Sequence, residues 1–367
     1  MIVVQGRTLV GRAAAARLAR LGHDVSLVGG EVPHVPDVIE LPAAWRDLFK
    51  KTGRPMAGEL NSIHAELVPA PPVTYLLPDG AELVLPDDRG GQYYAIREAF
   101  GETQAAQWRD TLDLFDDAWN VFRRHGLETA LAPSKPEVQR ALLLDRTLTE
   151  VAERAGRLAP LLLAESHFAG TDSPMAPAVL AIRQVLVRTF SRHWLVRDDQ
   201  PVAGRALLEL LDRRLELLGV GTSPVDTPTR IVECRPALPK SGLLGPRLRP
   251  GLAPAISESD GGEPAEIIDL TGAAPVRHIR TAARTTTYDH TQAHASLDAG
   301  IAPDSKKAWL ARTTPTSSRA SATSLGGPEP WAQLLTGALA AYLLHENLTG
   351  EDPSPSNKSF KMPRLHD

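Results

Sequence analysis

The stretch that decides the fold is the first: Met1-Ile2-Val3-Val4-Gln5-Gly6-Arg7-Thr8-Leu9-Val10-Gly11, then Arg12-Ala13-Ala14-Ala15-Ala16-Arg17-Leu18-Ala19-Arg20-Leu21-Gly22, then His23-Asp24-Val25-Ser26-Leu27-Val28. It is an apolar strand, a glycine turn, an Ala-rich helix, a glycine stop and a second apolar strand. That order is the layout of a dinucleotide-binding βαβ unit. A helix that starts straight after such a turn offers unpaired N–H groups and a partial positive charge to a pyrophosphate. Gly6 permits the tight turn, and Gly11 lets helix and strand pack closely. The middle glycine of the G-x-G-x-x-G pattern, where a backbone normally touches phosphate, is Thr8. A threonine hydroxyl could donate to a phosphate, and its methyl could equally block the approach. Arg7 and Arg12 flank the turn as candidate phosphate cations or as solvated surface arginines. The acid expected after the second strand, which would bind ribose hydroxyls, is missing: Gly29 and Gly30 stand there, with Glu31 two residues late.

Working outward, the chain has 367 residues, 44 acidic and 40 basic, a formal net charge of −4. The length suggests two domains or one large composite fold. The near balance of charge gives no sign of nucleic-acid binding. One cysteine, Cys234, excludes an intrachain disulfide and reads as a small apolar core residue, which suits a reducing, cytoplasmic compartment. The N-terminus lacks the basic and apolar regions of a signal peptide, and no apolar run approaches the roughly 20 residues a membrane span needs. No strongly basic amphipathic helix argues for the bilayer surface, although apolar substrates leave room for peripheral membrane contact.

The next local signals are a helix over 43–52 and a hairpin, 73–77 and 81–85, turned by Pro78-Asp79-Gly80. Helices follow over 102–124, 135–144, 147–155, 177–194 and 203–218, their aromatic and leucine stripes read as core. A strand is expected at 229–233. Residues 235–263, rich in Pro and Gly, read as loop, and strands return at 266–270, 276–280 and 284–288. A helix over 328–346 closes the fold, and 351–367 form a tail. His290 and His294 have the i, i+4 spacing of a helical metal pair. No acid lies between them in the metalloprotease arrangement, no third ligand is evident and the surroundings read as strand or loop, so no metal site is assigned.

Taken in order, these segments resemble the phytoene-desaturase-like branch of the FAD-dependent oxidoreductases, the fold shared with flavin amine oxidases. The resemblance rests on five segments: the opening βαβ; Leu41–Phe49 with the Asp79-Gly80 hairpin; Phe168–Pro174; Leu217–Val220 through Ile231-Val232; and Gly326-Gly327-Pro328-Glu329-Pro330-Trp331 running to Ala341. The last resembles the family's C-terminal flavin motif, in which a glycine turn feeds a helix under the isoalloxazine. The resemblance implies an α/β fold: a Rossmann-like FAD-binding domain (1–70, 203–234 and 314–350) with an inserted α+β substrate-type domain (71–202 and 235–313). It implies FAD contacts at Gly6, Thr8, Gly11, Arg12, Glu31, Val232, Gly326, Gly327, Trp331 and Gly337, and dehydrogenation of an apolar small molecule with hydride transfer to flavin. It names no catalytic side chain. Thr8, Gly29 and the missing Gly-Gly-Arg segment after the second strand also suit a flavin-free relative acting as scaffold or partner subunit. A homo-oligomer is equally open. An NAD(P)-binding enzyme ranks last, because the C-terminal motif belongs to flavoproteins.

Overall fold

The computed structural model describes residues 1–30, 32–198, 200–239 and 247–355. The chain opens with β1 (Ile2–Gln5), α1 (Leu9–Arg20) and β2 (Val25–Val28). It continues through β3 (Val38–Ile39), α2 (Pro42–Thr52), α3 (Met56–Asn61), β4 (Ala65–Pro69), β5 (Val73–Leu76) and β6 (Glu82–Leu85). A helical block follows: α4 (Arg89–Phe100), α5 (Glu102–Arg124), α6 (Pro136–Ala141), α7 (Leu148–Ala152), α8 (Ala159–Phe168) and α9 (Ile182–Phe190). Then come β7 (His193–Arg197), β8 (Gln200–Val202), α10 (Arg205–Leu217) and β9 (Arg230–Glu233). The last part holds β10 (Pro250–Asp260), β11 (Ala265–Asp269), β12 (Val276–Arg280), β13 (Arg284–Ile301), α11 (Lys306–Leu310) and α12 (Pro330–Thr349).

The opening segment forms a parallel sheet in the order β2-β1-β9, with Val4 opposite both Leu27 and Val232. Parallel strands covered on both faces need continuous apolar runs, which Ile2-Val3-Val4 supplies. The alanines of α1 explain its partner. Ala13, Ala14, Ala15 and Ala16 are fully buried, and α12 crosses close against them. At Gly337 the crossing is backbone to backbone: a Cβ there would lie 2.3 Å from the Val10 carbonyl oxygen. Gly22 at φ +88° ends α1, as its sequence position predicts.

A six-stranded sheet, β10-β13-β12-β11-β5-β6, is antiparallel except where β5 meets β11, and β3, β7, β4 and β8 form a smaller antiparallel sheet. The Asp79-Gly80 hairpin joins β5 to β6 as read. The apolar stripe of α5, with Trp108, Leu112, Phe115 and Trp119 buried, anchors the helical block.

Three local readings change. The helix read through Trp194 stops at Phe190, because Ser191 takes φ +56°, and His193–Arg197 alternates as a strand. The stretch read as loop contains β10, whose prolines are tolerated because it is an edge strand, with a register shift between Ala253 and Ala255 where Pro254 sits. The strand read over 284–288 runs on to Ile301 and carries both His290 and His294. Four residues along a strand span about 13 Å, too far for one metal ion. No cluster of three or more metal-ligating side chains occurs among the described residues, and no helix among them is long and apolar enough to cross a membrane.

Candidate functional site

The α1 turn keeps the backbone shape of a nucleotide-binding βαβ unit. Gly6 sits at φ +110°, and a Cβ there would meet the Arg235 backbone nitrogen at 2.9 Å. A Cβ on Gly11 would fall 1.9 Å from the Gly6 carbonyl oxygen, so the helix start can press on the turn only through glycine. Thr8 is the N-cap of α1. Its hydroxyl oxygen accepts the Gly11 N–H at 3.1 Å and its O–H donates to the Cys234 carbonyl at 3.2 Å. The hydroxyl is thus committed inside the protein. Arg12 is buried and bidentate on Asp212 of α10 at 2.7 and 3.2 Å, and Arg7 approaches the same carboxylate at 3.7 Å. Both flanking arginines therefore point to α10. Val232 is fully buried between β1 and the core, and Cys234 is buried with its thiol pushed well up by burial. Glu31 lies outside the described residues.

From Thr8 a cleft of about 400 Å³ runs to the first turn of α12, reaching Pro328, Glu329, Pro330 and Gln333. His34, Tyr288 and the β10 residues Leu252, Ala253, Pro254 and Ile256 form its sides. Its volume lies within the roughly 300–1,000 Å³ common for small-molecule sites. A second cavity of about 70 Å³ lies behind the Gly326–Gly327 turn, against Phe122, Phe168, Trp309, Arg312 and Trp331. Glu329 borders both, and a third, smaller cavity with Glu40 and Arg277 as well. Of the residues expected from sequence, Thr8, Gly326, Gly327 and Trp331 line this space. Gly6, Gly11 and Gly337 set backbone crossings beside it.

Glu329 is the N-cap of α12, and its carboxylate has no hydrogen-bond partner among the described residues. Burial, then the charges of Glu40 and Glu165, push it up to about 7 against the pull of Arg183 and Arg277. Beside it, Arg183 of α9 donates to Glu40 at 3.0 Å and to Glu165 at 3.1 Å, while Arg277 donates to Glu266 at 2.7 Å and to Glu40 at 3.3 Å. Burial works to raise Glu40, but Arg183 and Arg277 outweigh it and hold the carboxyl at about 2. Arg192 completes the network on Glu266 and Asp87. Sequence reading missed Glu329, Arg312 and this network. The pairs span 143 positions for Arg183–Glu40 and 237 for Arg277–Glu40, and no local pattern announces them.

A dinucleotide placed in this cleft meets a fitting backbone. The N–H groups of Leu9 and Val10 have no acceptor among the described residues, but both residues are fully buried, and of the α1 start only Thr8 lines the cleft, so the helix dipole is what reaches a phosphate there. No lysine or arginine among the described residues lines the cleft, so the helix end alone would carry that charge.

No family model and no curated protein matches the sequence. Solved structures do. Cyclohexylamine oxidase from Brevibacterium oxydans aligns with a TM-score of 0.57 over 95% of this chain and 99% of its own, at 14% identity. Wild-type putrescine oxidase bound to putrescine aligns with a TM-score of 0.52 over 95% and 99%, at 11% identity. The likeness is one of fold. This chain is an α/β protein with a Rossmann-like FAD/NAD(P)-binding fold, the fold of these amine oxidases, over most of its length.

Proposed function

We propose that the chain is an FAD-dependent oxidoreductase that dehydrogenates a largely apolar small molecule in the cleft between α1 and α12. The observation that carries this reading is the cleft itself: it joins the starts of α1 and α12, which the family resemblance assigns to the two ends of a flavin dinucleotide, and apolar side chains from the six-stranded sheet wall it. FAD bound there would supply the hydride acceptor. The chain's own contribution is different. Thr8 at the start of α1 bounds the phosphate end, and Leu252, Ile256 and Phe168 exclude water from the reacting carbon. Glu329, half protonated near neutral pH, holds or releases a proton beside it. Residues 1–70, 203–234 and 314–350 would form the cofactor-binding part and the remainder the substrate part, in a cytoplasmic protein.

A second reading, a flavin-free relative that serves as scaffold or partner subunit, draws on Thr8, Arg7 and Arg12. Each of them is engaged with protein atoms and turned from the place of a phosphate. One measurement separates the two. A purified preparation with flavin absorption near 450 nm, releasing FAD on denaturation, supports the oxidoreductase. A colourless preparation that takes up no FAD from excess, and that co-purifies with another chain, supports the scaffold.

A further inference from the structure

Among the described residues seven arginines are buried, and six of them reach a carboxylate. Arg12, Arg17, Arg183, Arg188, Arg192 and Arg214 pair with Asp212, Asp47, Glu40, Asp113, Asp87 and Glu59 respectively. Arg312 does not. It is 8% exposed, its Nη2 donates to the Ile301 carbonyl at 2.7 Å, and its Nη1 and Nε have no acceptor among the described residues. Burial alone lowers its affinity for the proton, to about 10, with no carboxylate acting on it. A lone buried guanidinium is costly unless something answers it.

The side chain is aimed into the 70 Å³ cavity behind the Gly326–Gly327 turn. Gly327 presents no side chain to it, and even a Cβ there would lie 3.5 Å from Nη1. The indole of Trp331 lines the same cavity and its Nε1–H is buried without an acceptor. Two residues that each carry an unanswered donor thus line one small space, and Phe122, Phe168 and Trp309 supply its apolar walls. Two acids share that wall: Glu165, already held by Arg183 and Gln184, and Glu329, whose carboxyl burial pushes up to about 7.

We propose that this cavity is a carboxylate subsite, built to take the acidic end of a small organic acid on Arg312 while its apolar body lies against the aromatic walls. Guanidinium and carboxylate match as a two-pronged, charge-assisted pair, and Trp331 offers a further donor. The cavity shares Phe168, Pro328 and Glu329 with the larger cleft, so an acid longer than the cavity extends into it. The inference rests on the proposed function only in naming that reaction's substrate class. Carboxylate binding itself requires no flavin.

The test is calorimetric titration of the full chain with benzoate and isobutyrate, and with benzamide as the neutral match for benzoate, alongside a measurement of flavin content. Benzoate should bind with a dissociation constant on the order of 1 mM or tighter, as suits so small a ligand, and benzamide at least about tenfold more weakly. Arg312→Met should lose at least about tenfold in benzoate affinity while melting no lower than wild type, because an unpaired buried charge has been removed. Trp331→Phe keeps the shape and should lose a smaller factor, which keeps the test decisive if Arg312→Met fails to fold. Equal binding of benzoate and benzamide, or full benzoate affinity in Arg312→Met, overturns the subsite. So does a folded wild type that ignores benzoate. Failure here with flavin present leaves the oxidoreductase standing, and benzoate binding by a colourless protein leaves the subsite standing.

Discussion

The starts of α1 and α12, on either side of the cleft, treat the charges around them in opposite ways. At the α1 end, Arg7 and Arg12 share Asp212, and Thr8 spends its hydroxyl on Gly11 and Cys234. At the α12 end, Arg312 reaches only a backbone carbonyl and Glu329 makes no hydrogen bond among the described residues, although Arg183, Glu40 and Glu165 are tightly paired one wall away. Folding selects for satisfied buried polar groups. The α1 end is therefore organised as architecture, its arginines paired with Asp212 although Arg12 Nη1 stays without an acceptor, whereas at the α12 end Arg312 has no carboxylate and Glu329 no hydrogen-bond donor among the described residues. Unsatisfied groups in a native structure mark the place where another molecule is expected.

The largest effect should come from the paired side of that contrast. Arg183→Met leaves Glu40 and Glu165 without their main cation, and removes a guanidinium 5.0 Å above the Phe168 ring. Breaking a buried pair from one side costs about 3–5 kcal/mol, so urea unfolding at pH 7 should show a loss of that order. The loss should shrink at pH 5, because orphaned buried carboxylates take up protons more readily. If the variant is within about 1 kcal/mol of wild type, the network contributes little and the contrast with Arg312 fails.

Glu329→Gln comes next. The Glu329 carboxyl titrates at about 7 in the folded chain against 4.5 as its ordinary value. A raised pKa means that the folded state holds the proton more tightly, so this group's stabilising effect is complete below about pH 4.5 and is lost as pH rises through 7. The charged neighbours Glu40, Glu165, Arg183 and Arg277 are common to both proteins. Glu329→Gln should therefore gain on wild type by roughly 2–3 kcal/mol between pH 4.5 and pH 8. Parallel stability curves would show a carboxyl open to water and remove Glu329 as a proton holder.

Much of the frame could be read from the chain because it is local. The Gly6 turn, the Asp79-Gly80 hairpin and the 23-residue stripe of α5 each signal themselves within a short window. What escaped was decided by distant partners. Arg12 looks like a phosphate cation until Asp212, 200 residues on, claims it. Pro254 looks like a loop residue until β10 proves to be an edge strand. Gly337 looks like part of a flavin motif, and its position shows a tighter constraint, the backbone crossing on Val10. Arg312 carries no sequence signal at all. Its significance is that no acid among the described residues pairs with it, which only the folded chain displays.

The smallest expected change in stability is the one that bears most directly on the α1 end. Thr8→Gly removes a cap, worth only a few tenths of a kcal/mol against glycine, and a hydrogen bond to Cys234 worth about 1 kcal/mol. It also restores the missing glycine of the turn, frees the Gly11 N–H and clears the side chain from the floor of the cleft. If a dinucleotide lies there, FAD affinity measured by fluorescence quenching should rise by about three- to tenfold, the gain of one more charge-assisted amide contact. A fall would mean that the Thr8 hydroxyl turns from Cys234 to serve phosphate itself, and the α1 end would then be as open as the α12 end. Flavin absent from both proteins would assign the satisfied charges of α1 to a scaffold and leave the ligand chemistry of this fold to Arg312 and Glu329 alone.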